Sequence, residues 1–262
     1  MITSLRGLVI RVTDIKENDR LLTIYTEEMG LISALAKGSR SLKSRKMAST
    51  VQLAYSDFVL YGEGEKLFVR EASLIEGFYG VRDTIDGLAL SMYICEVIEE
   101  VGTADGEREL LRLALNSLFA ISAGKHAPEK IKAAFEMRIS AILGYMPDLS
   151  ACERCGNDEG EFFFDVMAGA IECNACHKIS SAGGDRLAQE HEASVICILS
   201  QSCRTAMLYS LYSPLEKLFS FTLGKDDMRL FSRAAEEYLL NHLERGFRTL
   251  DFYKEVYYAG VN

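Results

Sequence analysis

The sequence predicts an α+β multidomain chain, with a small N-terminal β-barrel, then an all-helical domain carrying an inserted four-cysteine module. Three observations carry this reading. The first 80 residues hold five short β-type runs with no helical interlude. From residue 81 onward, apolar residues recur at helical spacing. Between Cys152 and Cys176 stand two Cys-x-x-Cys pairs separated by 17 residues. The expected division is 1–80 for the barrel and 81–262 for the helical domain, with the cysteine module at 150–180.

The β runs come in order. Leu8, Ile10 and Val12 alternate with Val9, Arg11 and Thr13, and Leu22 and Ile24 alternate with Thr23 and Tyr25. Three more runs follow at 31–36, 51–62 and 66–78. Asn18-Asp19, Met29-Gly30 and Gly62-Glu63-Gly64 supply turns. The first helix is predicted over 86–101, and the second over 107–122, with leucines at 110, 111, 113, 115 and 118. The third, over 128–143, opens on Pro128-Glu129, a favoured helix start, and places Ile131, Phe135, Ile139 and Ile142 at helical spacing before Gly144. After a Gly-Gly-Asp loop at 183–185, helices are predicted near 187–200, 203–212, 214–222 and 226–245.

Composition limits the function. No run of about 18 uncharged apolar residues exists, so no membrane helix is expected. The N-terminus lacks the apolar core and cleavage site of a signal peptide. A cytoplasmic chain with reduced thiols is the expectation. Cys95, Cys197 and Cys203 lie in or beside apolar stretches and read as small core hydrophobes. The net charge of −9 argues against bulk nucleic-acid affinity, yet the charge is uneven. Residues 1–80 carry 11 basic and 10 acidic side chains, whereas the other 182 carry 18 and 28.

Cys152, Cys155, Cys173 and Cys176 follow the zinc-ribbon plan. Two thiolate pairs on tight knuckles can surround one zinc ion, and 161–172 can form two short strands with a turn near Ala168-Gly169. Four thiolates leave no open coordination position, which makes the site structural rather than catalytic. An iron–sulfur cluster meets the same spacing. Cys176-His177 also completes a Cys-x-x-Cys-His haem-attachment pattern, which the second cysteine pair and the compartment oppose. His177 reads as a neighbour of the site. His126, His191 and His242 have no paired nucleophile or metal spacing. No phosphate-binding glycine loop is present, which counts against a nucleotide-dependent enzyme.

From Ala34 to Ser56 the chain has Lys37, Arg40, Lys43, Arg45 and Lys46 and no acid. Small residues between the cations let backbone N–H groups approach phosphate. The plain alternative is a solvated, mobile loop. A five-stranded barrel with such a connection suits an OB-fold, which binds single strands through cationic grooves and aromatic platforms. Tyr25, Tyr55, Phe58 and Tyr61 are the aromatic candidates, with Phe58 better read as core. Arg11 and Arg70 are weaker DNA candidates.

Two stretches together carry a family resemblance. One runs AKGSRSLKSRK (36–46) into LAYSDFVLYGEGEKLFVREASLIEGF (53–78). The other is FEMRISAILGYMPDLSACERCG (135–156). With GLVIRVTDIKENDRLLTIYT near the start and HLERGFRTLDFY near the end, the chain resembles the RecO family of bacterial recombination mediators along nearly its whole length. Some members lack the cysteines; this chain has all four. The resemblance implies an OB-fold joined to a helical, zinc-bearing domain. It implies a protein without catalysis that binds single- and double-stranded DNA, anneals complementary strands and helps load the recombinase RecA onto DNA coated by single-strand-binding protein. It further implies RecR and the tail of single-strand-binding protein as partners, and a link to RecF. Arg138 is the candidate for that tail, since a guanidinium suits a peptide carboxylate; an ordinary helix-surface charge is the competing reading. A zinc-ribbon adaptor acting only through protein contacts is the rival function.

Overall fold

A computed structural model describes residues 2–63, 66–103, 105–182 and 195–259. The chain packs as two units, one of 1–125 with 247–262 and one of 126–246. The division expected above is one by fold type, and this is one by packing.

The first unit holds a closed barrel of β1 (Ile2–Ile15), β2 (Asp19–Thr26), β3 (Gly30–Ala36), β4 (Tyr55–Glu63) and β5 (Lys66–Glu76). The strand order is β1-β2-β3-β5-β4. Its interior is filled by Leu5, Val9, Leu22, Ile24, Ala34, Phe58, Leu60 and Val69. β1 is long enough to pair with β4 through residues 2–8 and with β2 through 7–15. An irregularity between Val9 and Arg11 re-aims the strand at this corner. Hence Val9 points into the barrel, while Leu8 and Ile10 are buried on the other side, where β1 meets the helical layer.

The parallel β3–β5 contact that closes the barrel is short, matching only Ala34 with Leu67 and Leu35 with Phe68. Side chains of the β3–β4 connection extend it. Lys46 Nζ donates to the Val69 carbonyl at 3.2 Å and Ser49 Oγ to the Ala72 carbonyl at 3.1 Å. These bonds fasten the connection to β5.

Three helices complete this unit: α1 (Ile85–Val101), α2 (Arg108–Ala123) and, late in the chain, α7 (Arg248–Ala259). Thr84 Oγ1 caps α1 by accepting from Gly87 N at 3.1 Å. α7 packs on α1 through an edge-on Tyr93–Phe247 pair at 5.7 Å. Glu96 of α1 accepts from Thr249 N at 3.1 Å, so a carboxylate sits at the N-terminus of α7, where the helix dipole favours it. The barrel meets this layer at a tight point. Gly30 has φ +53°, and a Cβ there would lie 1.7 Å from the Thr103 carbonyl oxygen. Gly30→Ala is therefore expected to lower unfolding free energy by about 2 kcal/mol or more in urea titration.

The second unit contains α3 (Pro128–Ile142), β6 (Phe162–Asp165), β7 (Ala170–Cys173), α4 (Asn174–Ala182), β8 (Ile196–Leu199), α5 (Gln201–Tyr212) and α6 (Lys225–Leu243). The sheet runs β7-β6-β8, all antiparallel. The expected strands of the cysteine module and the turn at Ala168-Gly169 are present.

Three expectations need correction. The helix near 187–200 ends as a strand: Ile196–Leu199 pairs with β6 and buries Cys197 and Leu199 at period two. Its residues 187–194, with the loop at 183–185 and His191, lie outside the described residues. The helix near 214–222 is a single 3-10 turn at Leu215–Lys217. Its bonds run i to i+3, and Leu215, Leu218 and Phe219 are anchored by burial instead of a helical ladder. The helix Arg248–Ala259 was not predicted at all.

Candidate nucleic-acid interface and candidate metal centre

The basic connection is folded onto the barrel. Gly38 N donates to Asp19 Oδ1 at 2.8 Å and Arg40 N to the Asn18 carbonyl at 3.1 Å, which fastens it to the β1–β2 turn. Arg20, which sequence reasoning did not single out, braces the far end through the Met47 carbonyl and Thr50 Oγ1, both at 3.3 Å. The connection is thus tied to the barrel at both ends.

Its five cations divide by what they touch. Arg40 reaches Asp14 at 3.4 Å and the Lys16 carbonyl at 3.4 Å. Lys46 is half-buried on the Val69 carbonyl, and burial pushes its pKa below the usual lysine value against a smaller pull upward from Asp19. Lys37 lies over the Phe68 ring, 5.1 Å from its centroid. Lys43 and Arg45 are exposed and make no ion pair or hydrogen bond among the described residues. Two cations therefore project from a fixed base, and three shape that base.

The outlying candidates are placed differently. Arg11 pairs with Glu99 of α1 at 2.8 Å and ties the barrel to its helical layer. Arg70 is exposed on β5 with Glu71 at 3.8 Å. Among the aromatics, Tyr25 is fully buried, and its hydroxyl accepts from Glu107 N at 2.9 Å. It has no face to offer a base. Phe58 is core, as expected. Tyr55 is half-buried. Tyr61 is exposed and stacks on Phe68 at 5.2 Å and 22°. Phe68 was missed because nothing local marks an outward aromatic on a strand.

In the second unit, one thiolate donor from each of Cys152, Cys155, Cys173 and Cys176 lies within 4.8 Å of the others. Zinc–sulfur bonds of about 2.3 Å in a tetrahedron require sulfurs about 3.8 Å apart. Cys155 and Cys173 Sγ are 3.7 Å apart. Cys152, which ends up at about pKa 7, is pushed up by burial and pulled down further by N–H groups of Cys173, Cys155 and Arg154. Those amides favour the thiolate, as a knuckle around a cation needs. The donor set fits a metal ion held by four thiolates.

The surrounding residues lock the cage. Gly156 N donates to the Cys152 carbonyl at 2.8 Å, which closes the first knuckle. Cys173 ends β7 and Cys176 lies in the first turn of α4, so a strand-to-helix junction forms the second. Arg204 of α5 reaches the Leu149 and Asp158 carbonyls at 2.7 Å each, bonds the Ser150 carbonyl, and lies over the Phe162 ring. One buried guanidinium thus pins the loop on both sides of the first knuckle. Glu172 receives Arg154, His177 and Ser180, and the His177 ring stacks on Phe163 at 3.9 Å. His177 is a neighbour of the cage.

Arg138 donates to the Ser210 carbonyl at 2.7 Å and bonds the Ser213 carbonyl. It caps the end of α5, where terminal carbonyls lack helical partners. Cys95, Cys197 and Cys203 are buried, as expected of small core hydrophobes, and burial pushes the Cys95 and Cys203 thiols up to about 12.

Two family models match: "Recombination protein O N terminal" over residues 1–78 and "Recombination protein O C terminal" over 82–251. The chain belongs to the RecO family. Among its relatives, the DNA repair protein RecO of Acetivibrio thermocellus is 30% identical over 95% of this chain and 94% of its own. That of Alkaliphilus metalliredigens is 28% identical over 98% and 100%. That of Listeria monocytogenes is 30% identical over 65% and 67%. This RecO-family chain is accordingly a DNA repair protein with an OB-like barrel and a four-cysteine site that can hold a metal ion. No described helix is long and apolar enough to cross a membrane.

Proposed function

We propose that this chain is a non-catalytic mediator of DNA repair and recombination. It binds single- and double-stranded DNA, anneals complementary strands and assists loading of the recombinase RecA on DNA coated by single-strand-binding protein. Its partners in this reading are RecR and the tail of single-strand-binding protein, with a functional link to RecF, in the cytoplasm at the nucleoid. Arg138 is kept as the residue for the partner tail. One zinc ion, held by Cys152, Cys155, Cys173 and Cys176, staples the second unit. The relatives named DNA repair proteins and the family models named for recombination support this reading.

The observation that carries the reading is the held basic connection with Lys43 and Arg45 projecting from it. Cations on a fixed base lose little side-chain freedom beyond their own when phosphates arrive, and binding releases counterions from the strand. Annealing needs no nucleotide, because neutralising both strands raises their encounter rate. Lys37, Arg40, Lys46, Arg11 and Arg70 remain in the proposed surface, with roles graded by their contacts.

Lys43→Ala with Arg45→Ala is expected to weaken binding uniformly across sequences. The slope of log affinity against log salt should flatten by about one per lost phosphate contact. Lys46→Ala is expected to lower stability as well, because it removes the tie to Val69. Fluorescence anisotropy across a salt series checks both. An unchanged slope in the double variant rejects the assignment. Annealing of strands coated by single-strand-binding protein, with and without the double variant, tests the mediator step.

A further inference from the structure

Two features at opposite ends of the barrel complement each other. The first is the tip of the basic connection. Its turns are closed by Ser41 N on the Gly38 carbonyl at 3.4 Å and Ser44 N on the Ser41 carbonyl at 2.8 Å, and they hold Leu42 out in solvent. Leu42 is 90% exposed, more than any other large apolar side chain among the described residues. Lys43 follows it directly and Arg45 stands two residues further on, both exposed. A leucine held out between cations adds nothing to the barrel interior, which is already filled.

The second feature is a cleft of about 350 Å³ where β1, β4, the β2–β3 turn and α2 meet. Leu5 and Leu111 line it and are buried, whereas Glu27, Glu28 and Asp57 stand exposed around it. Arg6 pairs with Asp57 at 2.9 Å and Arg108 with Glu27 at 3.4 Å, and Glu28 has no ion pair among the described residues. The cleft thus offers an apolar floor with carboxylates at its rim. β2 separates it from the tip. The connection is fastened to Asp19 at the start of that strand, and Glu27 and Glu28 follow Thr26 at its end. A strand of eight residues is about 25 Å long, so the tip of one copy does not reach its own cleft.

We infer that the Leu42 tip of one copy docks in the Glu27–Glu28–Asp57 cleft of a second copy. Charge complementarity selects the occupant. The stretch 34–56 has five cations and no acid, and the cleft rim at the other end of the barrel has a carboxylate without a cation. Leu42 meets Leu5 and Leu111, while Lys43 and Arg45 meet Glu28 and its neighbours. Tip and cleft are different surfaces, so the contact is heterologous and joins copies head to tail. A contact this small is weak, and exposed charge makes it fall with salt. Docking covers the two cations that project from the connection. A second copy and a strand of DNA therefore compete for them. The docking stands on shape and charge alone, and only the competition rests on the DNA-binding reading above.

The test is sedimentation velocity of the full chain over a concentration series, at about 50 mM and about 1 M salt. Mean mass should rise with concentration in low salt and return to that of a monomer in high salt. Leu42→Ser is expected to weaken association about tenfold, as loss of one buried leucine does. Lys43→Glu/Arg45→Glu and Glu27→Lys/Glu28→Lys should each stay monomeric alone. An equimolar mixture of the two should associate again, because each supplies the charge that the other's site now meets. Glu28→Lys alone serves if the double cleft variant does not fold. A short oligo(dT) in excess should release monomers from the wild-type assembly. A wild-type chain that is monomeric at every concentration in low salt overturns the docking. Association that the charge swap leaves unchanged, or that the mixture fails to recover, also overturns it. Association that obeys the swap in a chain without affinity for oligo(dT) supports the docking and rejects the DNA reading alone.

Discussion

Cys173→Ser is expected to release the metal and to lower the stability of residues 126–246 by about 3 kcal/mol or more, a fall in Tm of about 10 °C. Cys173 and Cys152 belong to the same apolar cluster as Phe162, Phe164 and Ile171. Without the ion, thiol groups packed within 4.8 Å lose the charge that binds them together. The strand-to-helix junction at Cys173 is then tied to the first knuckle mainly by the Glu153 N to Ile171 carbonyl bond at 3.0 Å and the Arg154–Glu172 pair. Acid should mimic the substitution, because protons compete with the metal for thiolates. Metal content by elemental analysis, together with calorimetry in and out of chelator, checks this. Identical melting of the metal-free and metal-loaded chains would show that no staple exists. DNA affinity of the barrel unit should change far less than the melting of 126–246. An iron ion or cluster in place of zinc would appear as visible absorbance.

Lys132→Met is expected to cost about 3–5 kcal/mol, as breaking a buried ion pair from one side does. Lys132 on α3 is 2% exposed, and its Nζ lies 2.9 Å from Glu136 and 2.8 Å from Glu236 of α6. Removing it leaves two carboxylates facing each other in a nearly dry position. Burial alone would push the Lys132 pKa down, but the two carboxylates outweigh it and raise it above the usual 10.5. A raised pKa means the stabilisation is fully present below the unfolded value and is lost only as pH climbs through the folded one. Lys132 thus keeps its charge through the whole neutral range and loses it only in strong alkali. The triple variant Lys132→Met/Glu136→Gln/Glu236→Gln should recover most of the loss, since no unpaired charge remains. Urea titration of the single and triple variants separates the cases. A single variant as stable as the wild type would mean that water reaches the triad and screens it.

The parts legible in the sequence share one property: their signal is local. The five barrel runs show period two, α1 to α3 show helical spacing, and the cysteine pairs show ligand spacing within a knuckle. Even the misread segments follow this rule. Ile196–Leu199 is four residues long, too short for periodicity to separate a strand from the end of a helix, and its pairing with β6 settles the matter. The segment after Pro214 has the apolar content of a helix but not the length for a ladder. The helix Arg248–Ala259 is stabilised by packing on α1 and by the Glu96 carboxylate, a partner about 150 residues away.

The same contrast divides the site. Sequence alone picked out the four cysteines that can hold a metal ion and the stretch that is basic, because donor spacing and charge runs are properties of neighbours along the chain. Tertiary structure decided the rest. It separated Lys43 and Arg45, which project, from Arg40 and Lys46, which are tied to Asp14 and Val69. It buried Tyr25, and brought Tyr61 and Phe68 together from adjacent strands. It placed Arg204 against the first knuckle and Lys132 between two carboxylates. Each of these depends on a partner supplied by another element, and the energy of a charge or an aromatic ring is set by what surrounds it in space.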